Sequence, residues 1–600
     1  MSKTRQETRC LVGNQRILMV VGKDSNVVWC KSPWLDSSPA FSQMLSEHSG
    51  GEFLITPTTA FECKLDWTHD LSRVESTFET VTGKGRVVDE AVILNSGLPT
   101  TLFRRRIEIL SGRIEWRLLI EPRFEQGHRE ALLDPLSPFL IFRDSSLVER
   151  EWSIADYWIF YWTVMPPSLA HHPSNMINPI SYSPSSVRSY SHSFVLNAES
   201  PLLSQGAEIL WGHGRESKLL LSELHSRKTA SGYLRPWVRS LDKSDSPTQD
   251  PLDQLFEGPW RPIAQRSLRT LELLTHIENH SLFNPSHEIH HFGSRRPNFR
   301  GATPSVRVTD MCRALLLWSR MPDTSKEYAR AFRIVQWLIR ILERNPPERI
   351  SASYTLDEEG PAEDSPSRMT LRLDTFGWIL HALQVFCQHP PSSGQTTLGS
   401  HSDFVRMHWE KISNLTDWLC HAWRRPDLGV RGDASRPTHF TASKAMAWLG
   451  IKSALLLAEE LKIAPRKKWE NERNLLHQTI CQQGVHRIEN TFTAEFGSSE
   501  TDLSALLLFL IDFLPISDQR LTCTLERISA QFWYISILNK SGQSRPATDC
   551  LNKILEDFPA PHILGEKWIP STREDSGSWP GVLAHVELLH TLLDMKKPLF

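Results

Sequence analysis

The hydrophobic pattern of this chain changes its period close to Ser267, and that change limits the possible folds more than any other feature. Before about residue 225, short segments rich in β-branched and aromatic residues recur roughly every 10 residues, separated by Gly, Asp, Asn and Ser. After Ser267, apolar residues recur with the period of an amphipathic helix. The sequence therefore predicts a β-rich unit followed by an all-α unit.

The N-terminal segments predict antiparallel strands. They read ILMVVG, NVVWC, EFLITP, STFETVT, VVDEAVIL, TTLFRRRIEIL and RIEWRLLIEP. Their spacing favours an antiparallel β-sandwich over residues 1–225. Residues 226–262 are polar and rich in Pro and Ser, a composition that is typical of a linker.

Residues 263–600 predict about eleven or twelve helices joined by short connections, without intervening strands. Among them are DMCRALLLWSRM, LDTFGWILHALQVF, FVRMHWEKISNLTDWLCHAWRR, SKAMAWLGIKSALLLAEEL, LSALLLFLIDFLP and PGVLAHVELLHTLLDM. No fixed-period repeat is present, which disfavours a solenoid of the TPR or HEAT type. We therefore expect a closed toroid of helical hairpins, with its active face formed by loops at one end.

The charge balance argues against polyanionic partners. The 67 basic and 69 acidic residues give a formal charge of −2, so no basic field is available to attract nucleic acid or an anionic membrane. No stretch approaches the roughly 20 apolar residues of a membrane span, and no signal sequence is recognisable. Nine scattered cysteines without a CxxC pair are expected to be free thiols. We therefore expect a soluble, cytoplasmic protein.

Motifs for metal, nucleotide or acyl chemistry are not found in the sequence. The HEIHH cluster at residues 287–291 lacks the HExxH spacing of a zinc-binding helix and is expected to be a solvated loop. There is no Walker loop, no GxGxxG after a strand, and no GxSxG elbow. We expect no metal and no cofactor. The 21 tryptophans fit either core packing or stacking on sugar rings, and composition leaves both interpretations open.

Several stretches in chain order resemble glycoside hydrolase family 15, which includes glucoamylases, glucodextranases and bacterial trehalases. They are residues 13–14 (GN), 24–30 (DSNVVWC), 33–41 (PWLDSSPAF), 270–275 (TLELLT), 372–377 (RLDTFG), 439–444 (HFTASK), 531–533 (QFW) and 579–586 (WPGVLAHV). The resemblance covers most of the chain. It implies an N-terminal β-supersandwich followed by an (α/α)6 toroid, and hydrolysis of an α-glucosidic bond with inversion.

An inverting glycosidase needs two carboxyl groups, and the resemblance assigns a residue to one of them. Such enzymes place an acid and a base on opposite faces of the sugar, roughly 6.5–9.5 Å apart. Glu566, in the run from Gly565 to Trp568, corresponds to the family's general base. An exposed loop glutamate is the alternative interpretation of this residue.

The general acid is missing from the position where the family carries it. The family segment resembles PD-x-G-I-W-E-V-R-G, and the corresponding run here, Pro426–Gly432, is about two residues shorter. Gly429 falls where the glutamate is expected, and glycine cannot donate a proton. Asp427 and Asp433 are the nearby substitutes, although a misplacement of about 1 Å can cost 10²-fold in rate.

The sugar-binding segments also depart from the family pattern. Asp310 is retained, but Thr309 replaces an arginine and Arg307 replaces a tryptophan, while Trp378 replaces the glutamate after RLDTFG. LTCTLERISAQFW reads as one continuous helix where the family has a β-rich loop. By resemblance, the substrate-binding residues are Asp310, Arg307, Asp374, Trp378, Arg431, Lys444, Trp568 and His585.

Three hypotheses follow for the function. The first is an inverting hydrolase of trehalose or a short α-glucan, with Glu566 as base and a recruited acid. The second is a non-catalytic relative that binds a sugar or another protein. The third is a changed reaction on a similar substrate, with Glu566 or Asp310 as a lone acid or base. The expected partner is an α-linked glucoside or oligosaccharide, and the oligomeric state is left open.

Overall fold

The structure is a computed structural model that describes most of the chain. The described residues are 9–35, 37, 41, 43, 50–68, 71–122, 131–136, 139–144, 157–162, 192–196, 207–227, 234–236, 256, 258–285, 305–322, 326–356, 371–390, 400–430, 436–464, 466–528, 532–557, 563–565, 567–569, 574–576 and 580–596.

The N-terminal part consists of antiparallel strands in three sheets. The strands are β1 (Cys10–Gly13), β2 (Leu18–Val21), β3 (Val27–Lys31), β4 (Glu52–Pro57), β5 (Phe61–Trp67), β6 (Arg73–Thr80), β7 (Gly83–Leu94), β8 (Pro99–Gly112), β9 (Trp116–Glu121), β10 (Ala131–Leu136), β11 (Phe139–Asp144), β12 (Tyr157–Trp162), β13 (His192–Leu196), β14 (Ala207–His213) and β15 (Leu234–Pro236). The orders are β1–β2–β3, β13–β9–β4 and β10–β11–β12–β14–β8–β7–β6–β5, with β15 beside β7. The β-rich N-terminal unit is as the sequence predicted.

Alternating burial along the strands builds the core between the sheets. In β6, Val74, Ser76 and Phe78 are buried while the residues between them are partly exposed, as the two-residue period of a strand requires. Trp211 of β14 stacks on Phe103 of β8, with ring centroids 4.8 Å apart. Phe53 of β4, in another sheet, meets Trp211 edge-on with ring centroids 5.3 Å apart, so aromatic residues also pack between the sheets.

The sheet of β1, β2 and β3 contributes to two cores at once. Leu11, Leu18 and Val20 point into the hydrophobic core of the helical part. Their neighbours Val12 and Met19 point into the core of the sandwich. Because successive side chains of a strand face opposite ways, one short sheet joins the two parts.

The end of the predicted sandwich region contains a helix, α1 (Gly214–Arg227). Leu221 and Leu224 of α1 are buried against Leu102 and Leu210 of the large sheet, a spacing that suits one face of a helix. The segment 226–262, expected to be a linker, includes β15, which pairs with β7.

The C-terminal part is helical, as the change of period predicted. The helices are α2 (Arg261–Leu273), α3 (Val308–Trp318), α4 (Lys326–Arg344), α5 (Leu373–Gln388), α6 (His401–Met407), α7 (Trp409–Ala422), α8 (Thr441–Glu460), α9 (Lys467–Gln483), α10 (Leu506–Leu510), α11 (Gln519–Leu525), α12 (Phe532–Lys540), α13 (Ser544–Asp557) and α14 (Val582–Lys596). Short strand pairs lie between them: β16 (Val306–Arg307) with β17 (Ser353–Tyr354), β18 (Val485–His486) with β19 (Thr491–Phe492), and β20 (Lys567–Ile569) with β21 (Glu574–Ser576).

The contacts among alternate helices form a closed cycle. Helix α3 packs against α5, α5 against α8, α8 against α10, α10 against α12, α12 against α14, and α14 against α3. Other long helices pack against members of this cycle, for example α4 against α3, α9 against α8 and α13 against α12.

Two glycines allow the closest approach in this cycle. A Cβ on Gly377 of α5 would lie 2.2 Å from the carbonyl oxygen of Met446 in α8, which is closer than any real Cβ contact. Gly450, one turn further along α8, lies against Gly377. Gly377 is four residues into α5 and Met446 is five residues into α8, so the two helices begin side by side.

Three of the predicted helices are shorter than the sequence suggested. The run at residues 404–425 is divided at His408, where φ is −104° and ψ is 13°, so the backbone leaves the helical region between α6 and α7. The run at residues 503–515 contains a 3-10 turn, Leu503–Ala505, followed by the short α10. The expected continuous helix LTCTLERISAQFW is wrong, because α11 ends at Leu525 and residues 526–528 form a turn closed by the bond from the Ile528 N–H to the Leu525 carbonyl.

Burial accounts for many of the tryptophans. Trp116, Trp158, Trp211, Trp318, Trp337 and Trp469 are among the largest fully buried side chains. Core packing, rather than sugar contact, explains these six. All nine cysteines are free thiols. None of the helices within the described ranges combines the length and the apolar character needed to cross a membrane.

Candidate active site

The predicted site residues that the structure describes gather at the N-terminal ends of the helices in the contact cycle. Asp310 lies in the first turn of α3 and Asp374 in the first turn of α5. Lys444 and His585 each lie three residues into their helices, α8 and α14. Since these helices pack side by side, residues from distant parts of the chain meet at one end of the helical part.

Asp427 holds the turn before α8 against the start of α5. Its backbone pairs with that of Thr438 in an antiparallel bridge, with N–H to carbonyl distances of 2.9 Å in both directions. Its Oδ2 accepts a hydrogen bond from the backbone N–H of Leu373 at 3.3 Å. The side chain is fully buried, and this burial raises its pKa to about 6, against the opposing charge of Lys444.

This position bears directly on the suggestion that Asp427 replaces the general acid. A proton donor must reach the glycosidic oxygen within hydrogen-bond distance. The Asp427 carboxyl is enclosed by protein and directed at the amide that begins α5. The Asp427 carboxyl therefore holds the backbone at the start of α5 in place.

Lys444 stabilises the same turn from the helix side. Its Nζ donates to the carbonyl oxygen of Arg425 at 2.5 Å, and the side chain is fully buried. Burial lowers the pKa of Lys444 to about 8, while the nearby Asp427 carboxyl acts in the opposite direction. The two buried charges therefore face each other inside the turn.

Arg372 connects the start of α5 with the segment that was expected to carry the acid. Its guanidinium donates to both carboxylate oxygens of Asp374, at 3.2 and 2.9 Å. The same guanidinium donates to the carbonyl oxygen of Val430. Asp374 is buried, so this pair orients the Gly429–Val430 turn rather than standing open to solvent.

Gly429 has a left-handed backbone conformation, with φ of +77°. A Cβ at this position would lie 3.1–3.3 Å from three ring atoms of Phe440. Such contacts are tighter than most real ones, and the left-handed conformation strains any side chain. The position where the family carries its acid is shaped here for glycine.

Asn284 connects Asp310 with the start of α14. The Nδ2 of Asn284 donates to Oδ2 of Asp310 at 2.5 Å, and its Oδ1 accepts from the backbone N–H of Val582 at 3.3 Å. Both Asn284 and Asp310 are buried. Arg307, just before α3, is partly exposed and lies in β16 opposite Ser353.

His585 anchors the segment that precedes Glu566. Its Nε2 accepts a hydrogen bond from the backbone N–H of Leu564 at 3.1 Å, and its Nδ1 lies 3.0 Å from the hydroxyl of Ser267 in α2. Because Nε2 accepts, Nδ1 carries the proton and donates to Ser267. Complete burial lowers the pKa of His585 to about 3, so the ring is neutral.

Trp378 lies in the helical core rather than at the open end. Its side chain is only 3% exposed, and the Arg313 guanidinium lies 5.1 Å from its ring centroid. This placement contradicts its assignment as a sugar-binding residue, because a ring enclosed by packing has no face for a ligand.

The sequence reasoning missed the ion pair beneath Trp378. Arg313 of α3 donates two hydrogen bonds of 2.6 Å to the carboxylate of Glu587 in α14. The indole N–H of Trp533 donates to the same carboxylate at 2.7 Å. The sequence does contain a sign of this ion pair, because Glu587 places a charge within the apolar run LAHVELLH.

Some predicted residues lie outside the described ranges. Glu566, Arg431, Asp433 and the HEIHH cluster belong to this group. The backbone of Trp568 lies in β20, opposite Asp575, and its side chain is outside the described part of the molecule. A cleft of about 450 Å³ opens elsewhere, between α4 and the segment from His276 to His280, and its lining contains none of the predicted site residues.

Comparisons with known proteins agree on one family. The family model described as "Glycosyl hydrolases family 15" matches residues 340–552, about a third of the chain. The trehalase of Thermoplasma acidophilum is 25% identical in an alignment of 270 positions that covers 39% of this chain and 44% of the relative. The match thus spans less than half of that relative's length.

Two further comparisons extend over nearly the whole chain. Trehalase 2 of Sulfolobus acidocaldarius is 20% identical over 628 aligned residues, covering 96% of this chain and 98% of the relative. The crystal structure of a bacterial glucoamylase complexed with acarbose matches with a TM-score of 0.65 and 11% identity, over 99% of this chain and 94% of that one. The fold is therefore glucoamylase-like, and residues 340–552 are similar to glycosyl hydrolase family 15.

Proposed function

We propose that this protein is a glycosidase that hydrolyses an α-glucoside, trehalose or a short α-glucan, with inversion at the anomeric carbon. The observation that carries the proposal is the assembly of Asp310, Asp374, Lys444 and His585 at one end of the cycle of helices. The glucoamylase fold and the trehalase relatives support the same substrate class. We further propose that the cycle α3–α5–α8–α10–α12–α14 is the inner ring of an (α/α)6 toroid.

In this proposal, Glu566 is the general base that accepts a proton from the attacking water. Arg307, which is partly exposed just before α3, hydrogen-bonds the sugar hydroxyls, and Arg431 and Trp568 complete the sugar site. Asp310 is buried on Asn284 and positions the start of α14 through that residue. Lys444, Asp374 and His585 act through the backbone that they hold. Asp427 belongs with this second group, since its enclosed carboxyl is bonded to the N-terminus of α5.

A non-catalytic sugar-binding protein on the same scaffold is the second candidate. The observation that favours it is Gly429, which aligns with the family's acid position and has a backbone conformation that favours glycine. Loss of the acid alone removes roughly 10²–10⁴-fold of the rate. The two candidates differ in whether glucose is released.

The test is hydrolysis of trehalose, maltose and isomaltose by the purified full chain. The hydrolase proposal expects glucose release, and loss of activity in Glu566→Gln. By NMR, the glucosyl residue cleaved from maltose or isomaltose should first appear as β-glucose, whereas trehalose should give α- and β-glucose in equal amounts. The matched control is Glu556→Gln, because Glu556 is an exposed carboxyl on the outer helix α13. Saturable thermal stabilisation by a sugar without any glucose release would instead establish the sugar-binding candidate.

A further inference from the structure

A second acidic residue, Glu495, pairs with the segment 438–440 that also pairs with Asp427 in the Gly429 turn. The strand from Thr438 to Phe440 forms an antiparallel bridge with Asp427 through Thr438, and another with Glu495 through Phe440. The N–H of Phe496 donates to the carbonyl of His439 at 2.9 Å, and the N–H of Thr441 donates to the carbonyl of Ala494 at 3.0 Å. These bonds hold Glu495 in a defined register against the turn.

The side chain of Glu495 shares a face with the Phe440 ring. Residues directly opposite each other in an antiparallel pair have their Cβ atoms roughly 4.5–5.5 Å apart on the same side. The Phe440 ring in turn lies against Gly429. The Glu495 side chain therefore leaves the backbone on the same side as the ring that covers Gly429, which the resemblance aligns with the family's acid.

The surroundings of Glu495 differ from those of the other carboxyls described near this turn. Asp427 is fully buried, and Asp374 is buried in an ion pair with Arg372. Asp502 caps a helical turn by accepting from the backbone N–H of Ser504. Glu495 is partly exposed, and its carboxylate accepts a hydrogen bond from a neutral hydroxyl, that of Thr438, at 3.3 Å.

We infer that Glu495 is the proton donor to the leaving sugar, in place of the missing acid at Gly429. This inference rests on the proposed hydrolase function. In the reaction, the Glu495 carboxyl gives its proton to the glycosidic oxygen, and the bond from the anomeric carbon to that oxygen breaks with its electron pair on the oxygen. Water adds to the anomeric carbon and gives one proton to the Glu566 carboxylate. One glycoside and one water become two sugars with free hydroxyls.

The test compares two substrates whose leaving groups differ in their need for a proton. Trehalose needs protonation of its leaving oxygen, whereas α-D-glucosyl fluoride releases fluoride without it. For the full chain, Glu495→Gln is expected to lower kcat/KM on trehalose by about 10²–10⁴-fold. The value of kcat/KM on α-D-glucosyl fluoride should stay within about threefold of the wild-type value. Glu500→Gln, at an exposed carboxyl five residues away, is expected to leave both rates unchanged.

A structural role for Glu495 would give a different pattern. Gln keeps an acceptor for the Thr438 hydroxyl, and Thr438→Val removes that bond while it keeps the carboxyl. If Thr438→Val reproduces the loss, or if Glu495→Gln lowers both rates equally, the assignment is overturned. It is also overturned if Glu495→Gln hydrolyses trehalose at the wild-type rate.

Failure of the hydrolase proposal itself would be seen in the rates of the wild-type protein. A wild-type protein inert toward both substrates would refute hydrolysis, and with it the role of Glu495. A wild-type protein active on the fluoride alone would leave a glycosidase without a proton donor, so that only the assignment of Glu495 would fall.

Discussion

At the scale of single residues, Gly429 is constrained by its backbone and by a neighbour. Its φ of +77° disfavours any side chain, and the Phe440 ring occupies the space that a Cβ would need. A glutamate introduced here would be strained before it could reach a substrate. The glycine at this position is therefore part of the local structure, and a single substitution would not place a proton donor there.

Gly429→Ala is expected to lower the free energy of unfolding by about 2 kcal/mol, since the left-handed conformation alone costs roughly 1–2 kcal/mol. Gly497→Ala is the matched control, because Gly497 has a φ of +76° and no atom lies within 4 Å of the place that a Cβ would take. Urea unfolding should give a loss of about 1 kcal/mol for the control. Equal losses in the two variants would mean that the Phe440 contact costs nothing.

Asp427 makes the stability of the fold depend on pH. Burial raises its pKa from 3.8 to about 6, so the folded protein binds this proton more tightly than the unfolded chain does. The stabilisation that Asp427 contributes is then fully present below about pH 4 and is lost as the pH rises through 6, by up to about 3 kcal/mol. Lys444, with a pKa of about 8, remains protonated across that range.

Asp427→Asn tests this dependence, because the amide oxygen can still accept from the Leu373 N–H. The stability of the wild type relative to the variant is expected to fall between pH 4 and pH 7, on the order of 2–3 kcal/mol. Thermal unfolding of both proteins across that range measures it. A difference that does not change with pH would show that the carboxyl titrates normally.

At the scale of elements, the site depends on side chains that hold one helix start against another. His585 joins α14, α2 and the segment at Leu564 through its two ring nitrogens. Gly581 adds a second bond, from its N–H to the Leu564 carbonyl at 2.8 Å. Leu564 lies two residues before Glu566, so the placement of that segment rests on a buried histidine.

His585→Ala is expected to lower the free energy of unfolding by about 2–4 kcal/mol, because it leaves a cavity and unpaired buried groups. The rate of trehalose hydrolysis should fall as well, since Leu564 loses its anchor. Ser267→Ala removes only the Nδ1 partner and should cost about 1 kcal/mol, with a smaller effect on the rate. Similar losses in both variants, by urea unfolding, would contradict a special role for the bond to Leu564.

At the scale of the whole molecule, the β-rich and helical parts share a core. Leu11, Leu18, Val20 and Trp29 of the first sheet pack with the helices. The side-chain amide of Gln15 donates to the carbonyl of Glu272 in α2 at 3.2 Å. The helical part is thus covered on one side by residues from the start of the described chain.

A fragment of residues 258–600 is therefore expected to lack a stable fold. Removing those four side chains forfeits about 1.5–3 kcal/mol each, a sum comparable with the whole stability of a domain, about 5–15 kcal/mol. Near-UV circular dichroism and urea unfolding of the fragment should show no cooperative transition. Co-expression with residues 1–257 is the control and should restore one, whereas cooperative unfolding of the fragment alone would refute the shared core.

Local patterns explain how far the sequence could lead. The periods of two and 3.6 residues arise from residues close together in the chain, so they sufficed to predict the β-rich and helical parts. They also predicted individual strands such as β4, whose ends coincide with those of EFLITP. The helix breaks at His408 and after Leu525 were missed, because a continuous apolar pattern does not reveal where the backbone turns.

The roles of individual polar residues depended on the tertiary structure. Asp427 receives its hydrogen bond from an amide 54 residues away, and Arg313 pairs with a carboxylate 274 residues away. Trp378 was assigned to the sugar site by its place in a motif, and packing under Arg313 buries it instead. The sequence by itself determined the resemblance to a glycosidase family and the structural class of each half. Only the tertiary structure decided which carboxyls are enclosed and that Glu495 lies beside Gly429, because burial and proximity arise when distant segments pack together.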